Sequence, residues 1–393
     1  MTRGEPRDFD HKSALAFVIA FGFVSLFADA AYEGMRGISG PFLATLGASG
    51  TAVGIIAGGG ELIGYLLRLA SGRLAEKSGA YWPIAIAGYT IQMAAVPALA
   101  LAGNWQAAAI FIVLERSGKA LRNPAVNLML SRAGTKIGQG WAFGLHEAMD
   151  QTGACSGPLI AAGVLALHGD YRTAFLWLGV PAALTVMSVI AASLRFGYAG
   201  HVAAPQIGAD ARTLPHAFWI YATASALIAF GFADYPLIAF HFTKDHVVSQ
   251  DWVPVFYALA MGASGAGSLL FGRWYDARGI VVLTPAFLFG ALIAPLVFFG
   301  GFLLALAGVL LWGLAQGVHD AVMNAAISHF VPEQSRARAF GIFSALYGIA
   351  WFLGSALLGW LYDHSLTGLV ALSVTASVAA LIPLSIAIRQ KQG

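Results

Sequence analysis

Apolar stretches long enough to cross a hydrocarbon core, about 20 residues each, recur along nearly the whole chain. They fall near 13–36, 49–71, 81–102, 105–130, 139–166, 171–195, 215–241, 252–272, 281–301, 303–328, 338–361 and 367–388. The pattern predicts an all-α membrane protein of twelve transmembrane helices. One long polar connection, 196–214, divides it into an N-terminal six-helix bundle, 1–195, and a C-terminal one, 215–393. The halves resemble each other. Gly72-Arg73-Leu74-Ala75-Glu76-Lys77-Ser78-Gly79 returns as Gly272-Arg273-Trp274-Tyr275-Asp276-Ala277-Arg278-Gly279, each time between two apolar runs. Phe21-Gly22-Phe23 with Asp29 answers to Phe230-Gly231-Phe232 with Asp234, and Ala142-Phe143-Gly144 with Gly157 answers to Ala339-Phe340-Gly341 with Gly354. The chain therefore reads as a duplication, with parallel halves related by an axis along the membrane normal.

Composition agrees with this picture and narrows it. At 58% hydrophobic and 10% charged residues, with a mean hydropathy of +0.73, the chain is no ordinary soluble globule. The single cysteine, Cys155, excludes a disulfide framework and a thiolate cage, and reads as a small packing residue. Basic residues collect on one side of the spans: Arg3, Arg7, Lys12, Arg73, Lys77, Arg132, Lys136, Arg195, Arg212, Arg273, Arg278, Arg336, Arg338, Arg389 and Lys391 share the N-terminal side, whereas Arg36, Arg172 and Lys244 lie opposite. By the positive-inside rule both termini are expected in the cytoplasm of a bacterial inner membrane. The start of the chain imitates a secretory signal, but its apolar run is long enough to remain as the first span. The charge pattern gives no reason to expect a nucleic-acid partner.

Spans three, six, nine and twelve carry no Asp, Glu, Lys or Arg in their apolar cores, so they are expected to face lipid while the others surround a polar centre. On span one Asp29 and Glu33 share a face one turn apart, with Tyr32 beside them. Two neighbouring acids suit proton or cation binding; the plainer reading has Glu33 reaching the outer surface with Arg36. On span two Glu61, Tyr65 and Arg68 form a stripe, in which Arg68 is expected to pair with an acid of a neighbouring helix. Span four concentrates Glu115, Arg116, Lys119 and Arg122. There Glu115 and Lys119 are spaced to neutralise each other, and Arg116 is left needing another partner. This cluster is either an anion site or a structural charge network. Span five brings His146, Glu147 and Asp150 onto one patch at mid-membrane depth, the best candidate for a proton relay, although an arginine of span four would explain Asp150 equally well.

The second half is poorer. It offers Asp234 on span seven, then His319 and Asn324 on span ten, where His319 reads more simply as a hydrogen-bonded core residue. At the places of His146, Glu147 and Asp150 it has Phe343, Ser344 and Tyr347. Within the spans, Asp29, Glu33, Glu61, Glu115, Glu147, Asp150, Asp234 and Asp320 outnumber Arg68, Arg116, Lys119 and Arg122, which favours a cavity that gathers protons or a cationic solute. No phosphate cradle or nucleophile elbow is present, so neither ATP drive nor enzymatic hydrolysis is expected, and no cofactor is called for.

With the repeated Gly-x-Leu-Ala-Glu-Lys-x-Gly loop, the chain resembles the major facilitator superfamily over its whole length. Finer motifs resemble a bacterial branch that includes nickel-resistance efflux proteins. These are Asp29 and Glu33 ahead of Gly40-Pro41, Leu46-Gly47-Ala48-Ser49, Glu61, Glu115-Arg116-x-Gly118-Lys119-x-x-Arg122, and Phe143-Gly144-x-His146-Glu147-x-Met149-Asp150. An Arg-Asp pair usual in that branch is replaced here by Val126-Asn127. The resemblance implies a monomeric secondary transporter working by alternating access. The expected roles are proton coupling at Asp29, His146, Glu147 and Asp150 and substrate contact at Asp29, Tyr32, Glu33, Glu61, Tyr65, Glu115, Arg116, Lys119, Asp234, His319 and Asn324. Structural or loop roles fall to Arg68, Arg122, Gly72, Arg73, Glu76, Gly79, Gly272, Arg273, Asp276 and Gly279. Efflux of a cationic solute or metal ion is the leading expectation. An organic anion held by span four, or a membrane receptor without transport, are the alternatives.

Overall fold

The computed structural model describes residues 9–197, 214–332 and 335–392; most of the expected linker 196–214 and the side chains of Glu76, Asp320 and Asn324 lie outside the described residues. Fourteen α-helices account for nearly all of the described chain: α1 (His11–Thr45), α2 (Gly50–Ser78), α3 (Tyr81–Ala98), α4 (Trp105–Ile137), α5 (Gln139–His168), α6 (Tyr171–Arg195), α7 (His216–Gly231), α8 (Tyr235–Lys244), α9 (Trp252–Arg278), α10 (Leu283–Phe299), α11 (Phe302–Val318), α12 (Asn324–Phe330), α13 (Arg336–His364) and α14 (Leu366–Gln392). Ten of these coincide with single expected spans. The seventh and tenth spans are each built from two helices.

Span seven breaks at Phe232–Asp234, between α7 and α8. Pro236, in the first turn of α8, has no backbone N–H to donate and favours a new helix start. Span ten stays helical but passes through a π-helical turn, His319–Met323, between α11 and α12. The expectation of one continuous helix across 215–241 is corrected here; apolar residues fill both sides of the break, so hydropathy alone does not reveal it.

Large side chains on the lipid-facing surfaces are apolar. Leu194 on α6 is 84% exposed and Ile382 on α14 is 65% exposed, the inverse of a water-soluble surface. Among the described residues eight stretches are apolar and long enough by composition alone to cross a membrane. Helices α4 and α5 fall outside that set, since buried charge and polar residues dilute their apolar content.

The duplication is visible in the packing. Helix α3 lies on α4 and α6, as α10 lies on α11 and α14; α5 meets α6, as α13 meets α14. Gly157 of α5 meets the Ala30 carbonyl of α1 so closely that a Cβ would collide with it, and Gly354 of α13 meets the Phe230 carbonyl of α7 in the same way. Only glycine permits that backbone approach.

By contact the chain forms two compact units, Met1–Met35 with Ile63–Gln206, and Arg36–Leu62 with Ile207–Gly393. The hairpin of α1 and α2 around residues 45–50 thus belongs to the second unit, while the remainder of both helices belongs to the first.

Helix starts in the loops are chemically marked. Asn104 accepts the Ala107 amide at 2.8 Å at the head of α4. At the head of α6, Asp170 accepts the amides of Arg172 and Thr173 and the Thr173 hydroxyl, the last at 2.8 Å. Slight burial pushes the Asp170 carboxyl up, but the bonds from Thr173 and Arg172 outweigh it and hold it below the usual range. Asp170→Ala should cost about 1 kcal/mol. Because the folded carboxyl is the stronger acid, this contribution is present above the ordinary aspartate range and fades as pH falls through the lowered value. Thermal melts of both proteins at pH 7 and under acid conditions should converge toward acid.

Candidate functional site

The first unit holds a charged cluster on α1, α3, α4 and α5. Helix α4 presents Glu115, Arg116, Lys119 and Arg122 within two turns, too much charge to leave in hydrocarbon without partners. Glu115 is fully buried and Arg122 is 4% exposed. Gln92 of α3 bridges them: its Nε2 donates to Glu115 Oε1 at 2.8 Å, and its Oε1 accepts Arg122 Nε at 2.7 Å. Arg122 Nη1 also donates to the Tyr89 hydroxyl at 3.0 Å, with its guanidinium 4.2 Å from that ring's centre. One neutral amide thereby joins an acid and a base that lie seven positions apart on α4.

Arg116 and Lys119 converge on Tyr32. Arg116 donates to the Tyr32 hydroxyl, and its guanidinium lies 5.0 Å from the ring centre. Lys119 Nζ lies 3.9 Å from the same centre. Both contacts place a cation against an electron-rich ring face. One expectation changes. Glu115 does not pair with Lys119 along the helix; it faces α3 and lies 3.7 Å from Arg116 Nε. A tyrosine of α1, Tyr32, is one further partner of Arg116. Arg68 is exposed and stands over Tyr65 of its own helix, 5.6 Å from the ring centre.

The third group comprises Ser25 of α1 with His146 and Asp150 of α5. His146 Nε2 lies 3.3 Å from Ser25 Oγ and 3.8 Å from Asp150 Oδ2. Asp150 Oδ1 and His146 Nδ1 are buried without a hydrogen-bond partner among the described residues. Glu147 is exposed and accepts from Gln151 Nε2 at 3.0 Å. Asp29, one turn beyond Ser25, lies in the electrostatic field of Asp150, Lys119, Glu33 and Arg122. Among the described residues no arginine of span four lies within ion-pair distance of Asp150, although Arg122 and Lys119 act on it electrostatically; its near neighbours are a histidine and a hydroxyl.

Glu33 is 8% exposed, as is Arg36, so neither reaches the outer surface as the plainer reading supposed. Within the second unit, Arg36 Nη2 lies 3.7 Å from Glu61 Oε1. Asp234 sits at the break of span seven, where Oδ1 accepts Trp351 Nε1 at 2.9 Å and Oδ2 accepts Ser355 Oγ at 2.5 Å. An aromatic shell surrounds this point. Trp312 donates to the Ala233 carbonyl at 2.9 Å, and the Phe232 ring lies 4.8 Å from His319, whose Nδ1 is 3.3 Å from the Tyr347 hydroxyl. His319 is thus a hydrogen-bonded core residue. Among the described residues no three His, Cys, Asp or Glu side chains gather as a metal site.

Sequence reasoning missed Ser25, Gln92, Tyr89, Trp351 and Ser355. Gln92 carried a usable signal, an uncharged polar residue alone in an apolar span, because such amides usually bond across helices. Ser25 carried none, since serine in a membrane helix commonly bonds its own backbone.

Comparison with known proteins adds independent findings. The family model described as Major Facilitator Superfamily matches residues 15–355 and 217–391. An uncharacterized protein of Mycobacterium tuberculosis is 38% identical over 383 residues, covering 94% of this chain and 92% of the relative. An uncharacterized MFS-type transporter of Methanocaldococcus jannaschii is 25% identical over 370 residues, covering 88% and 89%. Among solved structures, a mutant of the nucleoside transporter NupG superposes with a TM-score of 0.76 at 15% identity, covering 95% of this chain and 99% of that one. A mutant of the peptide transporter POT gives 0.76 at 16% identity, covering 98% and 99%. At these identities the structural matches establish the fold.

Proposed function

The chain belongs to the Major Facilitator Superfamily, and from that premise we propose that this secondary transporter is proton-coupled, with Asp150 as its proton carrier. Membership makes it a multi-pass transporter of small molecules rather than an enzyme. The observation that carries the coupling proposal is the Ser25–His146–Asp150 group: a half-buried carboxylate whose Oδ2 lies 3.8 Å from a histidine and whose buried Oδ1 has no bond among the described residues. A carboxylate held by arginine stays ionised; one beside a histidine and a hydroxyl can take and release a proton at modest cost. Asp29, on α1, supplies a second acid that feels the like charge of Asp150. Protonation of one acid therefore favours ionisation of the other.

We read the substrate as a cationic solute. Arg116, Lys119 and Arg122 are occupied by Tyr32, Glu115, Gln92 and Tyr89, which removes them as ready anion receptors. Asp29 and Asp150 remain without a guanidinium clasp, and a cation would relieve their mutual repulsion. Exchange of that cation for protons gives efflux from a cytoplasmic membrane, with both termini inside and the protein acting as a monomer.

The test uses purified protein in liposomes carrying a pH-sensitive dye. Organic amines and divalent metal ions, added one at a time, should release protons from the lumen for at least one cation. Carboxylates should not. Proton release driven by a carboxylate and lost in Arg116→Gln would replace the cation reading with the anion one.

A further inference from the structure

The hairpin Arg36–Leu62 is made of the same two helices that build the first unit, yet it packs in the second. Its seat is formed by α8 and α13. A Cβ on Gly40 would strike the Pro236 carbonyl, one on Gly54 the Ser355 carbonyl, and one on Gly359 the Gly50 carbonyl. At these three points backbone meets backbone.

One side chain fastens the seat. Asp363, at the end of α13, accepts the Gly50 amide with Oδ1 at 2.8 Å. Its Oδ2 accepts both the Thr51 amide at 2.8 Å and the Thr51 hydroxyl at 2.6 Å. The next amide, Ala52, is taken by Ser49 Oγ at 3.1 Å, so the first turn of α2 is capped half by its own serine and half by an acid more than 300 residues distant. A carboxylate there gains from the free N–H groups and from the positive end of the helix dipole. Tyr362, next to Asp363, places its hydroxyl 3.2 Å from His241 Nδ1 of α8, which ties the two helices of the seat together.

The duplication does not repeat this device. The matching end of α5 reads Leu167-His168-Gly169, and the acid that follows, Asp170, caps α6 instead. The head of α9 begins at Asp251 without a side-chain cap.

We propose that residues 36–62 form a detachable gate and that Asp363 is its latch, holding the gate on α8 and α13 through the N-terminus of α2. The proposal rests on the transporter reading, in which helices shared by two units must part from one of them in each cycle. A backbone contact lined by glycines parts cleanly. The amides at the head of α2 then pass from Asp363 to water, an exchange of comparable hydrogen bonds that keeps the two states close in free energy.

The test reads accessibility, not transport, in purified full-length protein in nanodiscs, where reagents reach both faces. In a Cys155→Ser background, Ser355→Cys places a reporter beneath the gate, at a position 2% exposed. Maleimide labelling should be slow and should rise about tenfold in Asp363→Asn. A control cysteine at Ala161, fully buried in the first unit, should label at the same rate with and without that change. Oxidising a Thr51→Cys/Asp363→Cys pair should suppress labelling at 355, and reduction should restore it. Unchanged labelling at 355 in Asp363→Asn, an equal rise at 161, or labelling that persists when the pair is oxidised would each overturn the latch. Failure of proton release in the liposome assay leaves these readouts unaffected, so the two ideas fail separately.

Discussion

Asp150→Asn is expected to lower proton-coupled flux in liposomes by about 100-fold or more, the scale set by removing a positioned proton carrier, while the protein still folds. The amide keeps the size and hydrogen-bonding shape of the carboxyl but cannot titrate. His146 and Ser25 retain a polar neighbour, and the packing of α5 against α1 is carried by Gly157 rather than by Asp150. Substrate exchange that needs no net proton movement should survive, with the cation then held by Asp29 alone and bound more weakly. Coupled flux within a few-fold of the parent would move the proton site to Asp29.

Gln92→Leu is expected to destabilise the protein by roughly 3–5 kcal/mol, as when one partner of a buried charged arrangement is removed. The leucine fills most of the space but leaves Glu115 Oε1 and Arg122 Nε without the bonds they make at 2.8 and 2.7 Å. Both groups are buried, and leaving charges unpaired costs more than the bonds themselves gain. Melting temperature in a mild detergent should fall by many degrees. A double change, Gln92→Leu with Glu115→Gln, should recover part of the loss by removing one stranded charge. An unaltered melting temperature in Gln92→Leu would show that the bridge contributes little.

The contrast between these residues shows what the sequence could and could not reveal. The spans were legible because each apolar run is long and the loops carry the basic residues. The duplication was legible because the repeated loop and the paired glycines Gly157 and Gly354 leave matching local patterns, which the structure shows as matching close approaches. The break in span seven and the π-helical turn in span ten were not, since the helix path can change without any change in hydropathy; Pro236 after Asp234 was the one overlooked sign. Charged residues were found readily, but their partners were not. Glu115, Arg116, Lys119 and Arg122 announce themselves, whereas Gln92, Tyr89 and Ser25 become visible only when α3 and α1 are laid beside α4 and α5. Asp363 lies just past the expected span 338–361, and nothing local links it to Gly50 and Thr51.

The Gln92 bridge has a consequence for how the protein is made. A translocating machinery meets α3 before α4, and α4 alone would bring four ionised side chains toward the lipid at roughly 3 kcal/mol each near the centre of the bilayer. Helix α3 enters as an apolar segment already carrying the one amide that can receive both Glu115 and Arg122. The two are joined by the short connection from Leu99 to Asn104. They can therefore leave the channel as a hairpin with Glu115 and Arg122 already bridged, while Tyr32 of α1, made earlier still, receives Arg116 and Lys119, so the order of residues along the chain is also an order of safe delivery.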